Sequence, residues 1–292
     1  MNEPTVSAIV IAWNGMKFLP DCLRTLAEDL QQVAHEVIVV DNGSTDGSAE
    51  FVEKTFPSVR LIRNQANLGF ARAVNIGIEQ ANGKYLLLLN QDIRVRKGAI
   101  GGLLAKIEAE RTVGVIGPKF VSFDGATQQS ARAFPTFRHV WYDALLLSRL
   151  LPTHREFSSW RMGWFDHETE LEVDQPMGAA MMIRREVVGQ VGKFDERFPI
   201  FFNDVDFCRR VKAAGYRLLY YPDAVIEHYV GGSTRVDPIR LKWESHRSMY
   251  SYLAKYAKGY EYPLLWMAGL VLVLGLIPAI LFTPRSNAML FD

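Results

Sequence analysis

The sequence predicts an α/β fold with a mainly parallel sheet, followed by a membrane-associated helical segment at the C-terminus. Apolar runs of strand length alternate with helical patterns through the first half of the chain, which is typical of a parallel sheet with right-handed crossovers. Polar clusters follow the ends of three predicted strands, where such sheets bind ligands. Near the C-terminus, Pro263–Phe282 contains no charged residue, and this indicates a membrane segment.

Composition is that of a folded globular protein and narrows the range of partners. Of the 292 residues, 49% are hydrophobic and 22% are charged, a balance that does not suit a disordered chain. The formal net charge of +1 gives no reason to expect nucleic-acid binding. The two cysteines, Cys22 and Cys208, are too few for a disulfide framework and fit a reducing compartment. The apolar run Val6–Trp13 is too short for a signal peptide and is interpreted as the first strand.

The first half of the chain contains four predicted strands and three predicted helices. The strands are Val6–Ala12, Glu36–Val40, Val59–Arg63 and Tyr85–Leu89, and the helices are Leu19–Leu30, Ser48–Thr55 and Phe70–Gln80. Val6–Ala12 is apolar along almost its whole length, as expected for a strand that is covered on both faces. The polar clusters Asn14-Gly15, Asp41–Ser44 and Asn90–Asp92 follow three of these strands.

The second half is less regular. Phe134–Glu172 is rich in aromatic and basic residues without a clean period, so loops and short helices are expected there. Two helices, Glu186–Val191 and Val205–Ala214, and two short strands, Arg217–Tyr221 and Ala224–Glu227, are predicted after it.

The C-terminal part changes character, and the chain is divided into residues 1–238 and 239–292 on that basis. The second part is interpreted as a basic and aromatic amphipathic segment followed by an apolar membrane helix. Pro263–Phe282 has about the 20 residues that a bilayer span needs, and the basic and aromatic side chains before it favour a membrane interface. The alternative is a buried core helix preceded by a solvated basic face. The oligomeric state is left open, including a homo-oligomer.

Residues at the predicted strand ends are the first candidates for chemistry. Asp41 either accepts hydrogen bonds from a ligand or belongs only to a strand-to-helix turn. Arg72 and Asn75 share one face near the start of a helix, where an anion is favoured. Taken alone, this pattern favours a surface arginine and a polar side chain over an anion site. Asp92 is suited to bind Mg²⁺ or Mn²⁺, and the alternative is a carboxylate that caps the next turn.

Two further candidates lie in the second half. Asp204 stands where a helix begins, so it is either an N-cap or a general base. His228 follows a predicted strand and precedes Gly231-Gly232. It is a candidate metal ligand, but a single histidine is more often structural.

These segments together resemble glycosyltransferase family 2, which has the GT-A fold, a Rossmann-like α/β architecture. The resemblance covers roughly residues 5–238 and rests on VSAIVIAWNG, VIVVDNGSTDGS, NQANLGFARAVNIGI, YLLLLNQD, PMGAAMMIRREVV, GKFDERFPIFFNDVDFCRRVKAAGY and IEHYVGGS. Within the family, it is closest to bacterial rhamnosyltransferases of cell-envelope polysaccharide synthesis. These typically take L-rhamnose from dTDP-L-rhamnose, some of them transferring it to a polyprenyl-diphosphate-linked sugar.

The resemblance implies a role for each matching residue. Asp204 corresponds to the catalytic base, and Asp92 and His228 correspond to the ligands of Mg²⁺ or Mn²⁺. The nucleotide-sugar site implied is Ala12, Asn14, Asp41, Asn42, Arg72, Asn75, Asn90, Gln91 and Asp92. The acceptor site implied includes Gly178, Ala179, Asp195, Glu196 and Asp206.

The sequence departs from the family pattern at two positions. Asn90 replaces the first aspartate of the Asp-x-Asp motif, so fewer carboxylates face the metal and the ribose. Asn203 replaces the acidic residue before the base. A neighbouring carboxylate would raise the pKa of Asp204 by repulsion, so here Asp206 or burial has to adjust that pKa.

The resemblance implies an inverting transfer on the cytoplasmic face of the inner membrane, with a lipid-linked acceptor. Transfer from UDP-galactofuranose or another UDP-sugar is an alternative within the same class. A sugar-nucleotide pyrophosphorylase is a second class, but its Gly-rich loop with arginine and lysine is replaced here by Ala12–Gly15. A membrane-anchored nucleotide-sugar binder without catalysis is a third class, and it would have no need for Asp204.

Overall fold

The computed structural model describes residues 3–229 and 238–277. The strands are β1 Val6–Ala12, β2 His35–Asp41, β3 Arg60–Arg63, β4 Tyr85–Asn90, β5 Ile93–Val95, β6 Val113–Val121, β7 Ala131–Arg132, β8 Leu171–Glu172, β9 Gln175–Pro176, β10 Ala180–Arg184 and β11 Arg217–His228. The helices are α1 Leu19–Asp29, α2 Ser48–Thr55, α3 Phe70–Gln80, α4 Ala99–Ala109, α5 Phe137–Ala144, α6 Leu147–Leu150, α7 Arg185–Val191, α8 Asn203–Ala213, α9 Pro238–Tyr256 and α10 Tyr262–Leu274, with a 3₁₀ turn at Gly259–Glu261.

Four parallel strands form one half of the main sheet, in the order β3-β2-β1-β4. Their apolar side chains alternate between the two faces. Ala8 and Val10 belong to the core on one face, and Ile9 and Ile11 belong to the core on the other. Helices α1, α2 and α4 contribute to the first core, and α3, α7 and α8 contribute to the second. The prediction of parallel strands buried on both faces is confirmed for this half.

The other half of the sheet is mixed, so the expectation of a mainly parallel sheet holds only in part. Strand β10 runs antiparallel to both β4 and β6, and β11 is parallel to β6 but antiparallel to β5 and β8. The two short strands predicted at Arg217–Tyr221 and Ala224–Glu227 are one strand, β11, whose pairing with β6 shifts between Tyr221 and Val225. Pro222 lies in this shift and cannot donate to a ladder.

The described part of the predicted membrane segment is α10, and one face of this helix packs on the protein. Leu265 and Ala268 are buried in a third core that includes Val140 of α5 and Leu253 of α9. Among residues 3–229 and 238–277, no helix is both long enough and apolar enough to cross a bilayer. A membrane span is therefore not supported. Residues 278–282 of the predicted span lie outside the described residues.

A buried charge network fastens α9 to α8. The Asp206 side chain is 0% exposed, and it pairs with Arg210 at 2.9 Å and with Lys255 of α9. The Tyr256 hydroxyl also donates to Asp206, at 2.8 Å. Lys255 also pairs with Asp195 at 2.8 Å. It therefore connects α9 both to α8 and to the loop before α8.

Replacing Asp206 with asparagine should destabilise the fold by about 3 kcal/mol, because a buried ion pair that loses one partner leaves its cations poorly compensated. Denaturant unfolding measures this change. Glu53→Gln removes a pair of exposed side chains, Arg63–Glu53, and serves as the control, since exposed pairs contribute little. Equal stabilities for the two variants would contradict the proposed role of the network.

Candidate active site

A cavity of about 680 Å³ opens at the carboxyl ends of β1, β2 and β4. Its walls come from those strand ends, the segment before α3, the segments before β10 and α8, the end of β11 and the start of α9. The lining residues are Ile11, Trp13, Asn42, Asn67, Leu68, Gly69, Phe70, Asn90, Gln91, Met177, Gly178, Ala179, Pro199, Ile200, Phe201, Phe202, Asn203, Asp204, His228, Arg240, Leu241 and Glu244. Seven residues of the predicted site are among them: Asn42, Asn90, Gln91, Gly178, Ala179, Asp204 and His228.

The loop after β1 is bonded to the loop after β2. Asn14 adopts a left-handed conformation with φ 45°, which asparagine tolerates better than most residues. Its side-chain Oδ1 accepts from the backbone N–H of Thr45 at 2.9 Å, and its backbone N–H donates to Ser44 Oγ at 2.9 Å. Asn14 therefore connects the two loops, and its predicted contact with a nucleotide stays a prediction.

Asp41 lies beneath the cavity at the end of β2, level with Ala12 of β1. Its carboxylate is buried, and Oδ2 accepts from the Ser44 amide at 3.1 Å. No residue in the described part of the chain donates to Oδ1. A buried acceptor without a donor costs about 1–3 kcal/mol, so Asp41 is suited to accept a hydrogen bond from a bound molecule.

Asn42 connects β2 to the segment before α3. Its Oδ1 accepts from the Leu68 amide at 3.1 Å, and its Nδ2 donates to Asn67 Oδ1 at 3.0 Å. The side chain that lines the cavity is thereby fixed by the protein itself.

The end of β4 contributes two amide side chains. Gln91 pairs with the backbone of Trp13 in both directions, accepting from its N–H at 2.8 Å and donating to its carbonyl at 2.9 Å. Asn90 lines the cavity, and within the described residues its buried Oδ1 has no donor. Asn90 Oδ1 and Asp41 Oδ1 are therefore two such acceptors at this end of the sheet, on the two strands that flank β1.

The start of α3 is occupied by protein groups rather than open to an anion. The Pro199 carbonyl accepts from the amides of Phe70 and Ala71 at 2.6 and 3.3 Å. The Asn75 side chain is buried and exchanges two hydrogen bonds of 2.9 Å with the Phe194 backbone. The Asn75 carboxamide thus connects α3 to the loop before α8, and its predicted contact with a diphosphate stays a prediction.

Arg72 is exposed and lies outside the cavity lining. Its nearest charged partner is Glu196, at 3.9 Å. This position gives the predicted contact with a diphosphate no support, and the contact stays a prediction.

Asp204 is one of two acidic residues that line the cavity, the other being Glu244 of α9. Its Oδ2 accepts from Gln175 Nε2 at 2.6 Å and from the Gly178 amide at 3.1 Å. Burial raises the pKa of Asp204, and the hydrogen bonds from Val205, Gly178 and Gln175 oppose that rise. Burial therefore adjusts this pKa without a neighbouring acidic residue.

Local backbone geometry supports the special position of Asp204. Phe202, two residues earlier, has φ 68°, and bulky residues rarely adopt positive φ outside functional or strained turns. A Cβ at Gly178 would lie 2.8 Å from Asp204 Oδ2. Only glycine leaves room for the carboxylate there.

Three of the predicted acceptor residues are committed to other contacts. Asp195 binds Arg197 and Lys255, and Asp206 is buried in the network with Arg210 and Lys255. Glu196 accepts from Asn75 at 3.0 Å and lines a different cleft. The geometry argues against acceptor contacts from Asp195 and Asp206, because charge pairing within the protein already uses their carboxylates.

Asp92 and His228 lie together beside the cavity, with Asp92 Oδ1 and His228 Nε2 3.8 Å apart. Two ligands of one divalent ion, each about 2.1 Å from it, are at most about 4.2 Å apart, so the pair fits the predicted Mg²⁺ or Mn²⁺ site. Within residues 3–229 and 238–277, no three His, Cys, Asp or Glu side chains cluster around a metal position. The pair supplies two ligands, which leaves positions for phosphate and water oxygens.

Gln128 sets the state of the His228 ring. Its Nε2 donates to the His228 carbonyl at 2.7 Å, which directs its Oε1 to His228 Nδ1 at 3.1 Å. Because an amide oxygen only accepts, Nδ1 carries the proton and Nε2 keeps its lone pair toward Asp92. Burial lowers the pKa of His228 to about 4, so the ring is neutral at neutral pH, as a metal ligand must be.

Gln128 and Gln175 were not predicted from the sequence. Both are single glutamines in irregular segments, and no local pattern distinguishes Gln128 from Gln129 beside it. Their roles depend on contacts with residues 100 and 29 positions away, respectively.

The family model described as Glycosyl transferase family 2 matches residues 7–171 of the chain. A curated relative, N-acetylglucosaminyl-diphospho-decaprenol L-rhamnosyltransferase of Mycobacterium tuberculosis, is 31% identical over 256 residues, which cover 79% of this chain and 78% of the relative. O-antigen biosynthesis protein RfbC of Myxococcus xanthus is 27% identical over 81% of this chain and 18% of its own length.

Solved structures share the fold. The mannosyltransferase PcManGT from Pyrobaculum calidifontis, in complex with GDP-Man and Mn²⁺, superimposes with a TM-score of 0.60 at 18% identity, over 97% of this chain and 76% of that one. GalNAc-T7 with UDP, GalNAc and Mn²⁺ gives a TM-score of 0.58 at 18% identity, over 78% of this chain and 44% of that one. The mixed α/β sheet is thus of the GT-A type.

Replacing Gln128 with leucine should weaken Mn²⁺ binding by about 10- to 100-fold, the usual effect of losing a group that orients a metal-ligating histidine. Titration of Mn²⁺ followed by electron paramagnetic resonance, with dTDP present, measures the affinity. Gln129→Leu alters the exposed neighbouring glutamine and should leave the affinity unchanged. Equal affinities for Gln128→Leu and the wild type would show that Gln128 does not act on a metal site.

Proposed function

The chain belongs to glycosyltransferase family 2, and we propose that it is a metal-dependent, inverting enzyme that transfers L-rhamnose from dTDP-L-rhamnose to a polyprenyl-diphosphate-linked sugar. The observation that carries the proposal is Asp204, a carboxylate in the cavity wall with a raised pKa and a rigid set of hydrogen-bond donors. Such a group suits general-base catalysis.

The substrates are proposed from the mycobacterial relative, which is matched over 78% of its own length. The mycobacterial protein is by name an L-rhamnosyltransferase whose acceptor is N-acetylglucosaminyl-diphospho-decaprenol, and it aligns with 79% of this chain. A prenyl diphosphate sugar and a rhamnosyl donor are accordingly the substrate classes that we assign here.

The reaction is a single displacement at the anomeric carbon. Asp204 accepts the proton of the acceptor hydroxyl as the oxygen attacks, the new glycosidic bond forms, and the bond from the anomeric carbon to the diphosphate oxygen breaks. The electron pair leaves with the nucleoside diphosphate, and the anomeric configuration inverts. No covalent enzyme intermediate is required.

Gln175 and Gly178 have a positioning role in this reaction. Both donate to the same oxygen of Asp204, so they hold the carboxylate in one orientation. They also favour its charged form and thereby limit the rise in pKa caused by burial.

The donor is proposed to lie along the ends of β1, β2 and β4. Asp41 Oδ1 and Asn90 Oδ1, which lack donors within the described residues, are suited to accept from base and ribose groups. Asp92 and His228 would hold Mg²⁺ or Mn²⁺, the second of which two structurally similar transferases bind. When bound, the ion would neutralise charge on the diphosphate.

We place the enzyme at the cytoplasmic face of the inner membrane. This location follows from the proposed substrates, because the nucleotide sugar is a soluble cytoplasmic compound and the polyprenyl acceptor is a lipid.

Replacing Asp204 with asparagine should lower kcat by about 10²- to 10⁴-fold, the usual effect of losing a general base. Asparagine retains the size of the side chain but does not take up the proton. Transfer from dTDP-L-rhamnose to a soluble diphosphate-linked acceptor analogue measures the rate, and dTDP binding by calorimetry verifies that the cavity is intact. Asp223→Asn, at an exposed position, is the control. A near-wild-type rate for Asp204→Asn would assign this residue to structure alone.

The pH profile tests the same residue independently. The wild-type kcat/KM should fall as the pH falls through the raised pKa of Asp204, since only the carboxylate accepts a proton. Gln175→Leu removes a donor to the charged form, so it should raise this pKa further and shift the acidic limb to higher pH. An acidic limb that is the same in both proteins would contradict the assignment.

A further inference from the structure

The outer face of α10 is a continuous apolar surface. Trp266 is 75% exposed and Leu270 is 61% exposed. Met267, Val273, Leu274 and Ile277 are exposed beside them, and at 100° per residue these six side chains occupy one side of the helix. The opposite side carries Leu265 and Ala268, which are buried. Helix α10 thus has two apolar faces. One packs on the protein, and the other is exposed.

A second group of exposed leucines lies at the junction of α5 and α6. Leu145, Leu146, Leu150 and Leu151 are all exposed, Leu150 by 71%. Leu146 has φ 59°, a conformation that costs energy for a bulky residue. Helix α5 packs against α10, so the turn that leads out of α5 belongs to the same side of the molecule.

Charged and aromatic residues border these surfaces. Lys258, Tyr260 and Tyr262 are exposed at the start of α10, and Arg149 is exposed in α6. Tyrosine and tryptophan favour the headgroup layer of a bilayer, and lysine and arginine are attracted to anionic lipids.

The position of α10 relative to the cavity fits a membrane surface. Arg240, Leu241 and Glu244 of α9 line the cavity. Elsewhere on α9, His246 Nδ1 lies 2.7 Å from the Leu272 carbonyl of α10, and Tyr250 contacts Gly269. One helix therefore separates the cavity from α10, and packed helices lie about 8–10 Å apart.

We propose that the outer face of α10 and the leucines of the α5–α6 turn form a surface that docks in the interfacial layer of an anionic phospholipid bilayer. The inference rests on the proposed function, because the lipid-linked acceptor gives docking its role. The sugar of a lipid-linked acceptor projects from the headgroup layer, and docking through α10 brings the cavity within about one helix diameter of that layer.

The test uses the full chain and vesicles of phosphatidylglycerol and phosphatidylethanolamine, with phosphatidylcholine vesicles for comparison. The wild type should co-sediment with the anionic vesicles and bind the neutral ones more weakly. The double substitution Trp266→Glu and Leu270→Glu should reduce binding on the order of tenfold or more, since it removes apolar area and adds repulsion. Gln31→Glu with Gln32→Glu adds the same charge at exposed polar positions and should bind like the wild type.

Three results would overturn the proposal. They are wild-type protein that does not bind anionic vesicles, a Trp266/Leu270 variant that binds as well as the wild type, and a wild-type dimer that this variant converts to monomers. The last result would show that a second copy covers the face. Transfer to a soluble acceptor analogue should be the same for wild type and variant. That readout separates failure of the docking surface from failure of the proposed reaction.

Discussion

The parallel register of β1 with β2 and β4 brings the chemical groups of this molecule to one place. Ala12 is level with Asp41, and Ile11 is level with Asn90. Because the three strands end together, the polar segments that follow them meet at one end of the sheet. Beyond the last paired residues of β1 and β4, the Gln91 side chain makes two hydrogen bonds with the Trp13 backbone. These bonds hold the ends of the two strands together.

The second half of the chain closes this end of the sheet from above. The Pro199 carbonyl caps α3 and the Asn75 carboxamide holds the Phe194 backbone, so the loop before α8 is fixed to the half of the chain that contains β1–β4. The Asp206–Lys255 pair fixes α8 to α9. Asp204 lies between these two attachments. Polar residues that the sequence suggests as substrate ligands thus make contacts within the protein around Asp204, and Asp204 itself lines the cavity.

The sequence was sufficient to predict the strands that are buried on both faces, because such strands are continuous apolar runs. Continuous apolar runs predicted β1, β2 and β4, and the family pattern together with the helix start made Asp204 a candidate, which the structure places in the cavity lining. The antiparallel strand β10 was not predicted, because its direction depends on pairing with β4 and β6. The pairing of Asp195 and Asp206 with Lys255 could not be predicted, because the sequence does not show that Lys255 lies between them. Likewise, the apolar composition of α10 does not distinguish a spanning helix from one that packs on α9 along a single face.

The central claim is that Asp204 activates an acceptor hydroxyl for one direct displacement. The anomeric configuration of the product tests it most directly. With dTDP-L-rhamnose and a soluble acceptor analogue, the one-bond carbon–hydrogen coupling at the anomeric carbon should give a configuration opposite to that of the donor. A product that retains the configuration of the donor would contradict the account, because it would require a second displacement or a different route.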